Sequence, residues 1–157
     1  MIPSVESMVV HEAHATCRVP AAVAFRFLGD GRSLGRWALG SWGTEDLGGG
    51  VFRGHSLFDD QPAYIRLESV AAEMRVYYHV GSSPTALAKR IEAHVFEDGE
   101  DPSVCRIMLR AARPPEMNDE RWTRLVRCHE VEVMLIQARV ERCFGLGMLE
   151  QAVVGES

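Results

Sequence analysis

The chain has 157 residues and a formal net charge of −5, and 46% of its residues are hydrophobic while 25% are charged. This length and composition predict one globular domain over residues 1–157 and exclude wholesale disorder. The negative charge excludes non-specific electrostatic binding to nucleic acid. The sequence has no run of about 18 apolar residues, which excludes a membrane-spanning helix.

Two features of the sequence indicate a cytoplasmic location. Residues 1–8 have neither the basic region nor the apolar stretch of a signal peptide. The cysteines form no C-x-x-C pair and no disulfide-dense framework; they are Cys17, Cys105, Cys128 and Cys143. We therefore expect reduced thiols in a cytoplasmic protein.

The start of the chain predicts a strand followed by two short helices. Apolar or small residues alternate with polar ones over residues 8–19, which places His11 on the inner face of a strand. Pro20 suits the first turn of a helix, and the helix-forming segment 21–28 follows it. After the glycine-rich break, a second short helix is expected to carry Leu34 and Trp37.

A period of two then continues as far as residue 112 and predicts an antiparallel sheet. The apolar-rich runs cover residues 51–58, 64–70, 74–80, 88–96 and 104–112. In the last two runs apolar residues alternate with polar ones, which is typical of antiparallel strands with one wet face. The three glycines at residues 48–50 predict a tight turn or bulge. A phosphate-binding loop is not predicted, because no Lys-Ser or Lys-Thr follows them.

The last part of the chain predicts a long amphipathic helix that ends near Phe144. Asn118 suits the N-cap, and acidic residues follow it in the first turn, where the helix dipole favours negative charge. At about 100° per residue, one stripe is expected to face the sheet. This stripe consists of Trp122, Leu125, Val126, His129, Val133, Ile136, Val140 and Phe144.

The same helix has a second apolar stripe. It consists of Cys128, Val131, Met134, Leu135 and Ala138. A helix that is apolar on two sides has two surfaces to bury, and one of them is the sheet. The other surface is expected to meet a second copy of the chain in a homodimer, or else the early helices or the C-terminal tail.

The order of strand, helical pair, run of strands and long C-terminal helix resembles the START-like superfamily. This superfamily is also called polyketide cyclase/dehydrase-like or SRPBCC, and it includes ligand carriers of the birch-pollen-allergen type. The resemblance is carried by residues 17–25, CRVPAAVAF, where a strand end is followed by a proline and then by apolar residues and an aromatic. Leu28, Asp30 and Trp37 stand where the superfamily often has L-x-D…W. The similarity covers residues 8–144 approximately.

The resemblance implies an α+β helix-grip fold, in which a curved antiparallel sheet of about six or seven strands surrounds the C-terminal helix. It also implies a cavity between sheet and helix, where members bind lipids, hormones, quinones or polyketides and some catalyse cyclisation or dehydration. We therefore expect this chain to bind a small hydrophobic or aromatic molecule, with polyketide cyclase- or dehydratase-like activity left open. The alternative is a non-catalytic protein-interaction or co-regulatory module with a filled core.

Three candidate ligand-binding residues come from the inner faces of the first strand and the last helix. His129 lies in the middle of an otherwise apolar stripe. It would either offer a ligand a hydrogen bond or a general base, or be a core histidine satisfied by a neighbouring side chain or a water. Val133 follows one helical turn later, and His11 lies beside small residues that leave room for a ligand.

Three further candidates are Trp37, Arg66 and Tyr78. Trp37 is expected either to line the cavity mouth or to close the core. Arg66 and Tyr78 come from central strands whose inward face stays ambiguous, because both faces carry aromatic or polar groups. No catalytic residue is assigned by the sequence.

We predict neither a metal site nor a cofactor. His11 and His14 are three residues apart on a predicted strand, so their side chains point to opposite faces and cannot share an ion. No serine or cysteine has a local signature that would predict covalent catalysis.

Overall fold

The computed structural model describes residues 9–147 of the chain. The elements in this range are β1 (Val10–Cys17), α1 (Ala21–Leu28), α2 (Gly31–Leu34), β2 (Trp42–Gly48), β3 (Val51–His55), β4 (Pro62–Val70), β5 (Arg75–Gly81), β6 (Ala88–Glu97), β7 (Cys105–Ala112) and α3 (Asp119–Gly145). A single 3-10 turn at Ala71–Glu73 joins β4 to β5. The predictions about a signal peptide and about the C-terminal tail lie outside the described residues.

The strands form one antiparallel sheet of seven, in the order β1-β7-β6-β5-β4-β3-β2. The first strand therefore lies at one edge and pairs with the last strand. Together with the long C-terminal helix, this sheet confirms the predicted α+β helix-grip fold. The predicted runs correspond to β3–β7, with differences of a few residues at their ends.

The edge strand β2 is an element that the hydrophobic pattern did not separate. All its residues are exposed or half-buried, so it has no fully buried face to produce an alternating apolar signal. Its pairing with β3 also shifts register at two places. The turn between them contains Gly48, Gly49 and Gly50 with φ values of 86°, 63° and 81°, which are left-handed conformations that glycine adopts without strain. The predicted tight turn is confirmed.

The helix α3 lies on β1 and β7, and α1 covers the neighbouring part of the same face of the sheet. The Asn118 side chain accepts a hydrogen bond from the Arg121 N–H and caps α3, as predicted. The fully buried core between the helices and the sheet includes Phe27, Leu28, Ile65, Ile107, Leu109 and Ile136. No described helix is long and apolar enough to cross a membrane.

The two stripes of α3 have different surroundings. On the predicted inner stripe, His129, Val133, Ile136 and Val140 are buried. On the second stripe, Val131 and Met134 are 46% and 65% exposed, so the described part of the chain does not cover them. The homodimer stays a prediction.

Candidate ligand-binding cavity

A cavity of about 790 Å³ lies between the first half of α3 and strands β4, β5 and β6. A further wall is formed by residues 34–41, which run from the end of α2 into the segment after it. The apolar lining of the cavity includes Ile65, Tyr78, Val80, Ile91 and Leu125. The second half of α3 contributes no lining residue beyond Glu132, because there the inner stripe is packed into the core.

The inner end of the cavity is polar and almost completely buried. His129, Glu132 and Trp37 line it with relative exposures of 3%, 6% and 3%. The Leu39 N–H donates a hydrogen bond of 2.8 Å to Glu132 Oε2, which ties the segment after α2 to α3. The other oxygen, Glu132 Oε1, lies 3.9 Å from His129 Nε2, beyond hydrogen-bond distance.

Three buried side-chain nitrogens near this end have no hydrogen-bond partner within residues 9–147. They are Trp37 Nε1, His129 Nδ1 and His11 Nδ1. The His11 ring lies 6.4 Å from the His129 ring, although His11 does not line the cavity. Buried polar atoms are nearly always paired, and each unpaired one costs about 1–3 kcal/mol. A water molecule or a bound ligand would complete these hydrogen bonds.

Burial sets the protonation of the two polar residues on α3. Loss of solvent raises the pKa of Glu132 to about 8, opposed by the hydrogen bond from Leu39. Loss of solvent and the proximity of His11 lower the pKa of His129 to about 4. At neutral pH both side chains are therefore mainly uncharged. They form an acid next to a base rather than an ion pair.

Tyr78 is fixed in the cavity wall by a hydrogen bond made away from the cavity. Its buried hydroxyl donates to the Leu28 carbonyl at 2.6 Å, and burial raises its pKa well above the ordinary value. The Trp37 ring stacks edge-on against the Tyr78 ring at 5.9 Å. This contact holds the indole at the inner end of the cavity.

The cavity mouth is different in character, because it is charged. Its exposed lining residues include Arg90, Arg121 and Arg124 together with Glu116 and Asp59, so cations outnumber carboxylates there. Arg90 lies 3.8 Å from Glu116, and the Arg124 guanidinium lies 5.0 Å from the ring centre of Phe58.

The structure brings together some of the candidates from the sequence and separates others. Trp37, Tyr78 and His129 line the cavity, with Tyr78 on the inward face that the sequence left ambiguous. Val133 is buried in the core one turn beyond the cavity, and His11 lies on the inner face of β1 beside the His129 ring. Neither of these two is among the lining residues.

Arg66 lies on the other side of the sheet from the cavity. Side chains alternate along β4, so the register that buries Ile65 turns Arg66 outward to solvent. The position of Arg66 therefore gives its predicted ligand contact no support.

Glu132 is the buried polar residue of the lining that sequence reasoning missed. A glutamate between two apolar stripes of a helix is most simply interpreted as a solvated surface residue. The available signal was its position three residues after His129, which places the two side chains on adjacent turns of one face.

Comparison with known proteins finds similarity in fold but not in sequence. No family model matches the sequence, and no curated protein matches it. Among solved structures, the Zhui aromatase/cyclase from a Streptomyces species has a TM-score of 0.65 at 16% identity, over 87% of this chain and 96% of that one. A START superfamily protein from Mycobacterium smegmatis has a TM-score of 0.64 at 11% identity, over 85% of this chain and 97% of that one. The chain has a START/polyketide cyclase-like fold.

A third similar structure is the di-domain ARO/CYC BexL, with a TM-score of 0.65 at 16% identity. The match covers 87% of this chain and 48% of BexL. At such low identities the likeness defines the fold, while the ligand must be inferred from the residues of this chain. In this START/polyketide cyclase-like fold, the cavity between the sheet and α3 is the place where those residues converge.

Proposed function

We propose that this protein binds a small hydrophobic or aromatic molecule in the cavity between the sheet and α3. The observation that carries the proposal is a mainly apolar cavity lined by Trp37 and His129, each of which has a buried side-chain nitrogen without a partner in residues 9–147. Its volume of about 790 Å³ falls within the range of about 300–1,000 Å³ that is usual for small-molecule sites. A few polar groups in an apolar lining are the usual arrangement for orienting a ligand.

Cyclase- or dehydratase-like chemistry is the catalytic form of this proposal. Such chemistry needs a proton donor and a proton acceptor in contact with the bound molecule. A neutral Glu132 would supply the first and a neutral His129 the second. The aromatase/cyclases among the similar structures support this extension. The size of the cavity speaks against the alternative of an interaction module with a filled core.

The proposal is tested by filling the cavity from a position that carries no polar group. Ala63 on β4 lines the cavity, so Ala63→Trp should occupy the space meant for a ligand. Arg66→Trp is the matched control, because it adds the same indole to the outer face of the same strand. The probe is N-phenyl-1-naphthylamine, an uncharged aromatic compound whose fluorescence rises in apolar surroundings.

We expect saturable binding at one site per chain, weakened about tenfold or more by Ala63→Trp and unchanged by Arg66→Trp; a factor of ten corresponds to about 1.4 kcal/mol. Native mass spectrometry of the purified protein would report the natural ligand directly. Absence of saturable binding, or equal binding by both variants, would show that the cavity is not a ligand site.

A further inference from the structure

We propose that the inner end of the cavity is a subsite for an uncharged hydroxyl or carbonyl oxygen on an aromatic ligand, bound by Trp37, His129 and Glu132. The inference rests on the proposed function. It adds the class of polar group that the ligand carries and the direction in which the ligand lies.

Trp37 requires an acceptor on the ligand. An indole N–H can donate a hydrogen bond but cannot accept one. Trp37 Nε1 is buried and has no acceptor within the described residues. Tyr78 is not free to serve as one, because it holds the indole edge-on and its hydroxyl is bonded to the Leu28 carbonyl. A ligand oxygen that reaches Trp37 would complete this donor.

His129 and Glu132 each keep one atom free for the same ligand oxygen or its proton. Glu132 Oε2 accepts from Leu39, while Oε1 has no hydrogen bond to His129. His129 Nδ1 is buried without a partner. Because the Leu39 contact fixes the carboxyl group, Glu132 Oε1 is held in place before a ligand enters. Donor and acceptor capacity side by side suits a hydroxyl or a carbonyl.

The ligand group must be uncharged, because the inner end offers no compensating cation. The titratable groups around Glu132 are His129 and Cys128 on α3, His11 on β1 and Tyr78 on β5. No lysine or arginine in residues 9–147 lowers the pKa of Glu132, as a nearby cation would. A ligand carboxylate buried here would meet another carboxyl group and would lose its hydration without gaining an opposite charge as a partner.

Charged parts of a ligand would instead lie at the mouth. The arginines of the lining, Arg90, Arg121 and Arg124, are all found there. The cavity therefore orients a molecule with its neutral oxygen inward and any anionic group outward.

The test compares naphthalene, 2-naphthol, 2-acetylnaphthalene and 2-naphthoate, which share one ring system and differ in their polar group. Isothermal titration calorimetry at pH 6.5 gives each affinity without relying on tryptophan fluorescence. We expect 2-naphthol and 2-acetylnaphthalene to bind about tenfold tighter than naphthalene, a ratio equivalent to about 1.4 kcal/mol. We expect 2-naphthoate to bind at least about tenfold more weakly than 2-naphthol.

Two variants locate the contact. Trp37→Phe and His129→Leu should each reduce the preference for 2-naphthol over naphthalene towards one, with naphthalene affinity kept within about twofold. Trp42→Phe is the matched control, because Trp42 lies on the edge strand β2 under Arg139 and does not line the cavity. The control should retain the full preference.

The outcomes separate this inference from the proposed function. If no probe binds, the proposed function itself fails. Equal affinity for naphthalene and 2-naphthol, or tighter binding of 2-naphthoate, would overturn only the inference. The inference is also overturned if the preference for 2-naphthol survives in both Trp37→Phe and His129→Leu, since the oxygen would then bind elsewhere in the cavity.

Discussion

Buried polar side chains of this protein divide into those that complete a hydrogen bond within the chain and those that do not. Tyr78 is of the first kind, since its hydroxyl donates to the Leu28 carbonyl at 2.6 Å. His129 is of the second kind, since its Nδ1 has no partner in the described part of the chain. The sequence predicted either a satisfied core histidine or one that faces a ligand. The unpaired nitrogen shows that no neighbouring side chain satisfies His129 through Nδ1, and the ligand contact stays a prediction.

This difference predicts a loss of stability from one substitution and no loss from the other. Tyr78→Phe removes a completed hydrogen bond and leaves the Leu28 carbonyl without this donor, so we expect a loss of about 1–3 kcal/mol in the free energy of unfolding. His129→Leu removes an unpaired buried imidazole, so we expect stability to be unchanged or higher. Urea unfolding of both variants beside the wild type measures the contrast. A loss for His129→Leu as large as that for Tyr78→Phe would show that His129 is a satisfied core residue.

At the scale of whole elements, most of the fold could be predicted from the sequence. Residues 88–96 and 104–112 alternate because β6 and β7 have one buried face, and α3 shows a period near 3.6 because one side packs on the sheet. The cap at Asn118 could also be predicted, because capping depends on the residues next to the helix start.

The candidate site was predicted less completely, because it depends on which face of each strand is inward. The strands that carry Arg66 and Tyr78 have aromatic or polar groups on both faces, so the pattern could not choose between them. Glu132 accepts a hydrogen bond from the Leu39 N–H, because the segment after α2 folds onto α3. That contact joins parts of the chain far apart in sequence, which periodicity does not reveal.

The two sides of α3 supply a matched test of its orientation. Val133 is buried against the core, whereas Val131, two residues earlier, is 46% exposed. Val133→Asp should cost several kcal/mol, because it places an unpaired charge in the core. Val131→Asp makes the same chemical change on the solvent side and should cost little. Thermal unfolding of the two variants compares them, and equal melting temperatures would contradict the orientation of α3.

At the scale of the whole molecule, Glu132 and His129 give folding a defined dependence on pH. Glu132 has a folded-state pKa of about 8 against an ordinary value of 4.5, so its contribution to stability is complete below pH 4.5 and is lost as the pH rises to about 8. His129 has a folded-state pKa of about 4 against an ordinary 6.5, so its contribution is present above pH 6.5 and is lost as the pH falls to about 4. The two effects oppose each other between pH 4.5 and 6.5.

Of these two effects, that of Glu132 dominates above pH 6.5, and it should lower the free energy of unfolding as the pH approaches 8. One proton is worth about 1.4 kcal/mol per pH unit, so we expect a fall of about 2 kcal/mol across this window. Glu132→Gln keeps an oxygen for the Leu39 N–H but cannot ionise, so it should abolish the fall. Glu130→Gln, an exposed position on the same helix, should retain it. Urea unfolding at pH 6.5, 7.25 and 8 measures these slopes. Equal slopes of unfolding free energy against pH for the wild type and Glu132→Gln would mean that Glu132 is already ionised in the folded protein. A carboxylate that is ionised in both the folded and the unfolded state binds no proton in this range and so adds nothing to the slope.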